Sequence, residues 1–120
     1  MKDQFVTYEI ALRLKELGFN ESCLGWYSIY RKNLSINFGY VILENLTKAA
    51  TLAPLWQQAQ RWLREVHHIH IGIWYNTLTS KYRWEKNLIG GEFTDSHDQE
   101  FDTYELALSE GLTEALKLLS

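Results

Sequence analysis

With 120 residues, 46% of them apolar, the chain predicts one domain, residues 1–120, folded around a single core. No apolar run approaches the ~20 residues that span a bilayer, and Met1-Lys2-Asp3-Gln4 has neither the charge nor the following apolar block of a signal peptide, so a soluble cytoplasmic protein with no membrane association is expected. A lone cysteine, Cys23, excludes an internal disulfide and any cysteine-based zinc cage; with no histidine near it in sequence to act as a base, it reads as a small buried hydrophobe.

The net charge of −3 conceals a division. Residues 1–89 hold eleven Lys and Arg against seven Asp and Glu, whereas residues 90–120 hold one against eight. Such asymmetry bears on partners and solubility more than on fold.

In chain order, FVTYEIALRLKELGF predicts a helix with Thr7 as N-cap, Glu9 in the first turn and Gly18 as terminator. Ile10, Leu14 and Leu17 form its apolar stripe, and Glu9 can pair with Arg13. The spacing of Leu24, Trp26 and Tyr30 predicts a strand, Lys32-Asn33 a turn, and residues 34–43 a returning strand with Ile36, Phe38, Tyr40 and Ile42 on one face. Residues 44–52 are polar and alanine-rich and are expected to connect this hairpin to the next helix.

That helix lies in the stretch 53–88, around which the rest is organised. At about 100° per residue, Trp62, Leu55, Val66, Ala59, Leu63 and Trp56 form one arc, and the Gln, Arg and Glu residues between 57 and 65 form the other. Pro54 suits the first turn, where its missing N–H has no intrahelical partner. After Val66 the period changes to two: Ile69, Ile71 and Ile73 alternate with His68, His70, Gly72 and Trp74. A loop over 76–79 would pair Tyr75 with Ser80, Trp84 with Ile71 and Glu85 with His70, placing the apolar residues of both strands on one face.

The tail opens with Gly90-Gly91 and an acidic segment, expected to be a hydrated loop, then a helix capped by Thr103. Its arc takes in Tyr104, Ala107, Leu108, Gly111, Leu112, Ala115, Leu118 and Leu119, leaving Leu106 outside. FVTYEIAL (5–12) and FDTYELAL (101–108) agree at six of eight positions. Ile10 lies in its helix's stripe and Leu106 does not, so convergence on a good helix start is favoured over a duplicated unit. The expected order is α-ββ-α-ββ-α, an α+β domain with helices packed on an antiparallel sheet.

MKDQFVTYEIALRLKELGF, APLWQQAQRWLRE and FDTYELAL with EALKLL together resemble a family of small uncharacterised proteins encoded in Bacteroidetes genomes, their prophages and phages. The resemblance covers about the first fifth, the middle and the last fifth of the chain. It implies a mobile-element origin and a bacterial cytoplasm, and brings no reaction and no catalytic residue.

Three kinds of chemistry are compatible with these residues. A binding surface for a protein partner, or for a second copy, could form from Trp56, Trp74 and Leu106, which the core need not cover, with the acidic tail steering a basic partner. Alternatively, aromatics beside Arg61, Arg64, Lys81, Arg83 and Lys86 could stack on single-stranded nucleic acid, although the acidic balance opposes this. Third, His68 and His70 with Glu85 could ligate a divalent metal; otherwise His70 and Glu85 form an ordinary cross-strand pair. Asp95, Asp98, Glu100 and Asp102, with His97 among them, lack the order of a calcium loop. No phosphate loop or nucleophile elbow is present. The sequence therefore favours a non-catalytic interaction module with no cofactor, nucleic-acid binding being the runner-up and metal-dependent catalysis third.

Overall fold

The computed structural model describes residues 2–41, 49–90, 94–96 and 99–119. It is an α+β fold of helices and antiparallel strands: α1 Tyr8–Glu16, β1 Cys23–Ser28, β2 Leu34–Val41, β3 Ala50–Ala53, α2 Trp56–Val66, β4 Ile69–Asn76, β5 Lys81–Leu88, β6 Thr94–Ser96 and α3 Tyr104–Leu118. The expected order is recovered with two short strands added, and the strands form two three-stranded sheets, β2-β1-β3 and β4-β5-β6, in place of one. Contacts divide the chain into two compact units, Met1–Ala59 and Gln60–Ser120, with the boundary inside α2.

In the first unit, α1 starts where Thr7 Oγ1 accepts a hydrogen bond from the Ile10 amide (3.3 Å). It stops at Gly18, whose φ of 95° is the left-handed conformation a glycine tolerates best, and the Phe19 amide returns to the Leu14 carbonyl (2.9 Å). Arg13 pairs with Glu16.

β1 is the central strand; it ends at Ser28, so Tyr30, which the spacing placed with Leu24 and Trp26, lies beyond it and is exposed, and the face the strand buries is that of Cys23. Cys23, Gly25 and Tyr27 are buried, while Leu24 and Trp26 are half-buried. Two local contacts decide this. A methyl group at Gly25 would lie 2.8 Å from Cε2 of Phe5, so that ring can close on the strand only over a glycine. The Tyr27 hydroxyl is also satisfied while buried, donating to the Val6 carbonyl (2.6 Å).

The expected connector ends in β3, which runs one residue beyond it to Ala53 and is buried along its whole length. Four small or aliphatic residues covered on both faces show no alternation, so periodicity could not reveal them. The other residues of that connector, except Ala49, and Ile42 and Leu43 before it, lie outside the described residues, as do the side chains of Phe38 and Tyr40.

α2 begins at Trp56, two residues beyond Pro54, because Leu55 is drawn into an isolated antiparallel bridge with Phe5. Trp56, Ala59, Trp62 and Leu63 are buried as the arc predicts, but Val66 at the helix end is half exposed.

In the second unit, α3 packs on β4 and β5. Thr103 caps it by accepting from the Leu106 amide (3.1 Å). Its buried residues are Ala107, Leu108, Gly111, Leu112, Ala115 and Leu116; Leu118, expected in the arc, is exposed in the last turn. Gly111 sets how closely the helix approaches the sheet, since a methyl there would lie 2.6 Å from Cγ2 of Ile71 and 3.2 Å from Cβ of Trp84.

Candidate functional site

The β4–β5 hairpin carries most of the residues singled out for function, and its register differs by two from the expected one. Asn76 pairs with Lys81, Trp74 with Arg83, Gly72 with Glu85 and His70 with Asn87. A shift of two preserves which residues share a face, so the apolar side is as predicted, but every cross-strand partner changes. The cause is the turn. Asn76 Oδ1 accepts from the Leu78 amide (3.0 Å), and the Ser80 amide donates to the Asn76 carbonyl (2.8 Å) with Ser80 at φ 59°, which places the four-residue loop at 77–80.

This register alters the histidine site. Glu85 lies opposite Gly72 instead of His70, its carboxylate 3.3 Å from where a Gly72 methyl would stand, and it accepts from the Asn87 side chain (3.4 Å). His68 precedes β4 with φ 57°, outside the strand's alternation, while its carbonyl receives the Ile89 amide (2.8 Å). His70 Nδ1 is buried without a hydrogen-bond partner among the described residues. No group of three or more His, Cys, Asp or Glu among the described residues is arranged to hold a metal ion. The His68–His70–Glu85 set is therefore not assembled as the sequence spacing proposed.

Toward the hairpin tip, the outer face becomes aromatic and cationic. Trp74 is 50% exposed, and the Arg83 guanidinium lies over its ring at 5.7 Å from the centroid. Arg83 Nε is 3.5 Å from Glu100 Oε2. That carboxylate also accepts from Thr79 Oγ1 (2.8 Å) and Asn76 Nδ2 (3.2 Å). The Thr79 hydroxyl bond above all, with Asn76 and Arg83 adding to it, holds the Glu100 carboxyl below its ordinary range.

Glu100 is positioned by backbone pairing. Phe101 and Tyr82 exchange reciprocal 2.8 Å hydrogen bonds, and Lys81 Nζ reaches Asp102 at 3.3 Å. β6 pairs with β5 through Ser96–Glu85, Asp95–Lys86 and Thr94–Asn87. The expected hydrated acidic loop is thus, over 94–96 and 100–102, a segment laid along the basic strand. His97 and Asp98 lie outside the described residues, and so does the side chain of Asp95.

On the other face of the tip, Tyr75 packs on Tyr82 (5.0 Å between centroids), which meets Tyr104 edge-on (6.0 Å). Tyr75 is 47% exposed, and Leu78 at the turn is 93% exposed.

The other proposed surface residues separate. Trp56 is 5% exposed and donates through Nε1 to the Asp3 carbonyl (2.8 Å); it is a core residue, because its polar edge found a buried acceptor. Lys86, grouped with the exposed cations by sequence, is only 7% exposed because it falls on the inward face opposite Ile71. Arg61 and Arg64 stand on α2, exposed and half-exposed respectively, and Leu106 is exposed outside the stripe of α3 as expected. Sequence reasoning missed the Asn76–Thr79–Glu100 network. The available signal was the opposition of a basic hairpin to an acidic segment shortly after it.

No helix among the described residues is long and apolar enough to cross a membrane. No family model, curated protein or solved structure matches the chain.

Proposed function

We propose that this protein is a non-catalytic interaction module of mobile-element origin, acting in the cytoplasm, whose binding surface is the tip of the β4–β5 hairpin. The observation that carries this reading is the exposure of Trp74, Tyr75 and Leu78 together at one end of a hairpin whose Asn76, Thr79 and Arg83 side chains all reach Glu100. Tryptophan, tyrosine and arginine are the residue types enriched at the energetic centres of protein interfaces, and Trp74, Tyr75 and Arg83 bring all three to this tip. Fixing Arg83 through Glu100, itself bonded to Thr79 and Asn76, lowers the entropy lost on binding.

The same geometry disfavours nucleic acid. Arg83 and Lys81 are neutralised by Glu100 and Asp102, and Lys86 is buried. Few cations on the hairpin remain to displace counterions from a phosphate chain.

The test is affinity isolation of the tagged protein from its native host, with and without nuclease, beside a Trp74→Ala variant of equal stability. Complexes that survive nuclease and are lost with Trp74→Ala support the module. Complexes that vanish with nuclease return the hairpin to the nucleic-acid reading, and complexes indifferent to Trp74 move the surface elsewhere.

A further inference from the structure

β4 is an edge strand of its sheet, and its hydrogen-bonding direction is determined. The His68 carbonyl receives the Ile89 amide, so in the observed register the even-numbered residues of β4 bond to β5. The N–H and C=O groups of Ile69, Ile71, Ile73 and Tyr75 consequently face the open edge. One of them is capped, because Gln60 Nε2 donates to the Ile71 carbonyl (2.5 Å). Among the described residues, the main-chain groups of Ile73 and Tyr75 have no such cap.

Natural edge strands are commonly blunted by lysine, proline, a bulge or an inward-pointing charge. β4, with the sequence IHIGIWYN, has no proline and no Asp, Glu, Lys or Arg, and its pairing with β5 is continuous. The occupant follows from self-complementarity: about a two-fold axis at Trp74 the two uncapped residues, Ile73 and Tyr75, are each other's partners, and with no charge on the strand no like charges are brought together.

Resting on the reading of the hairpin tip as a binding surface, we propose that β4 pairs antiparallel with β4 of a second copy, with Trp74 on the two-fold axis. The register follows from which groups are uncapped. Pairing Ile73 of one copy with Tyr75 of the other uses both uncapped residues twice, giving four main-chain hydrogen bonds without disturbing the Gln60 cap. Trp74 then faces Trp74 as a non-hydrogen-bonded pair, the arrangement in which opposed side chains approach most closely. Ile73 meets Tyr75 on the opposite face, Gly72 meets Asn76, and no like charges are opposed. The two sheets join into one of six strands.

The patch is small. Four main-chain hydrogen bonds and one central aromatic pair make a smaller contact than the roughly 800 Å² per partner of standard interfaces, so weak association is expected, with a dissociation constant on the order of 100 µM.

Sedimentation of the full chain from about 10 µM to about 1 mM tests this directly, a range that brackets the expected midpoint. The wild type should pass from monomer to dimer. Trp74→Lys and Trp74→Glu, each replacing a half-exposed side chain, should each weaken self-association at least about tenfold, as expected for loss of a central aromatic anchor. An equimolar mixture of the two should dimerise again, because Lys then faces Glu across the axis. Circular dichroism of each variant alone verifies that it is folded, and either one suffices for the loss.

A wild type that stays monomeric throughout, or dimers that persist in both charged variants, would overturn self-pairing. Failure of the mixture to recover would overturn the Trp74-centred register. If the wild type is monomeric but native complexes are still lost on Trp74→Ala, self-pairing fails while the interaction module stands. If those complexes ignore Trp74 as well, both fail.

Discussion

Replacing Gly111 by alanine sets two known effects against each other. In a helix interior, alanine is favoured over glycine by about 0.8–1.0 kcal/mol, and by that criterion alone Gly111→Ala stabilises α3. The new methyl, however, would stand 2.6 Å from Cγ2 of Ile71 and 3.2–3.3 Å from Cβ and Cγ of Trp84. Both neighbours are almost fully buried, and the Ile71 methyl sits on a β-branched carbon with little rotamer freedom. Overpacking of this kind costs about 1–3 kcal/mol. The clash should therefore prevail, leaving Gly111→Ala about 1 kcal/mol less stable than wild type by urea denaturation followed at 222 nm. In an Ile71→Ala background the closest atom is gone, and the same substitution should be near neutral or stabilising, although Ile71→Ala itself costs about 2–5 kcal/mol. A Gly111→Ala variant that is more stable than wild type, or an equal effect in both backgrounds, would refute the close packing of α3 on β4.

Trp56→Ala should destabilise by about 3–5 kcal/mol, the usual range for a large buried aromatic, whereas Trp74→Ala should shift stability far less; similar denaturation midpoints for the two would contradict their opposite burial. The lowered Glu100 carboxyl contributes stability that is present above the unfolded-state value near 4.5 and is lost as pH falls through the native one. Glu100→Gln should accordingly flatten the loss of stability below about pH 4.5, near the ordinary carboxylate value, and superimposable profiles would dismiss the network. Burial, with the Glu21 carboxylate adding to it, pushes the Cys23 thiol up to about 12. A thiol reagent should thus label the native protein very slowly at neutral pH and at full rate in denaturant; rapid native labelling would show that the strand opens.

The near-repeat separates what local sequence encodes from what it does not. In both copies the threonine caps the helix through the amide three residues on, and the phenylalanine two residues earlier sits in an isolated antiparallel bridge, Phe5 with Leu55 and Phe101 with Tyr82. Yet Ile10 is buried and its counterpart Leu106 is exposed. Six shared residues fix a helix start, and the rest of each helix decides which side turns inward.

The sequence by itself determined elements whose signals are periodic or chemical: the three helices, both threonine caps, the main hairpins, the α+β class, the burial of Cys23 and the exposure of Trp74. Each depends on neighbours within about one or two turns of chain. Tertiary structure alone decided the rest. β3 forms because it is covered on both faces, a condition that leaves no alternation in sequence. The hairpin register depends on where Asn76 closes the turn, since shifts of two residues conserve the apolar face and pattern cannot distinguish them. Trp56 is buried because Asp3, 53 residues away, offers its carbonyl to the indole. The candidate site likewise needs Glu100 brought beside Arg83 by the pairing of Phe101 with Tyr82, a long-range contact whose energy comes from complementary groups meeting and not from either segment alone.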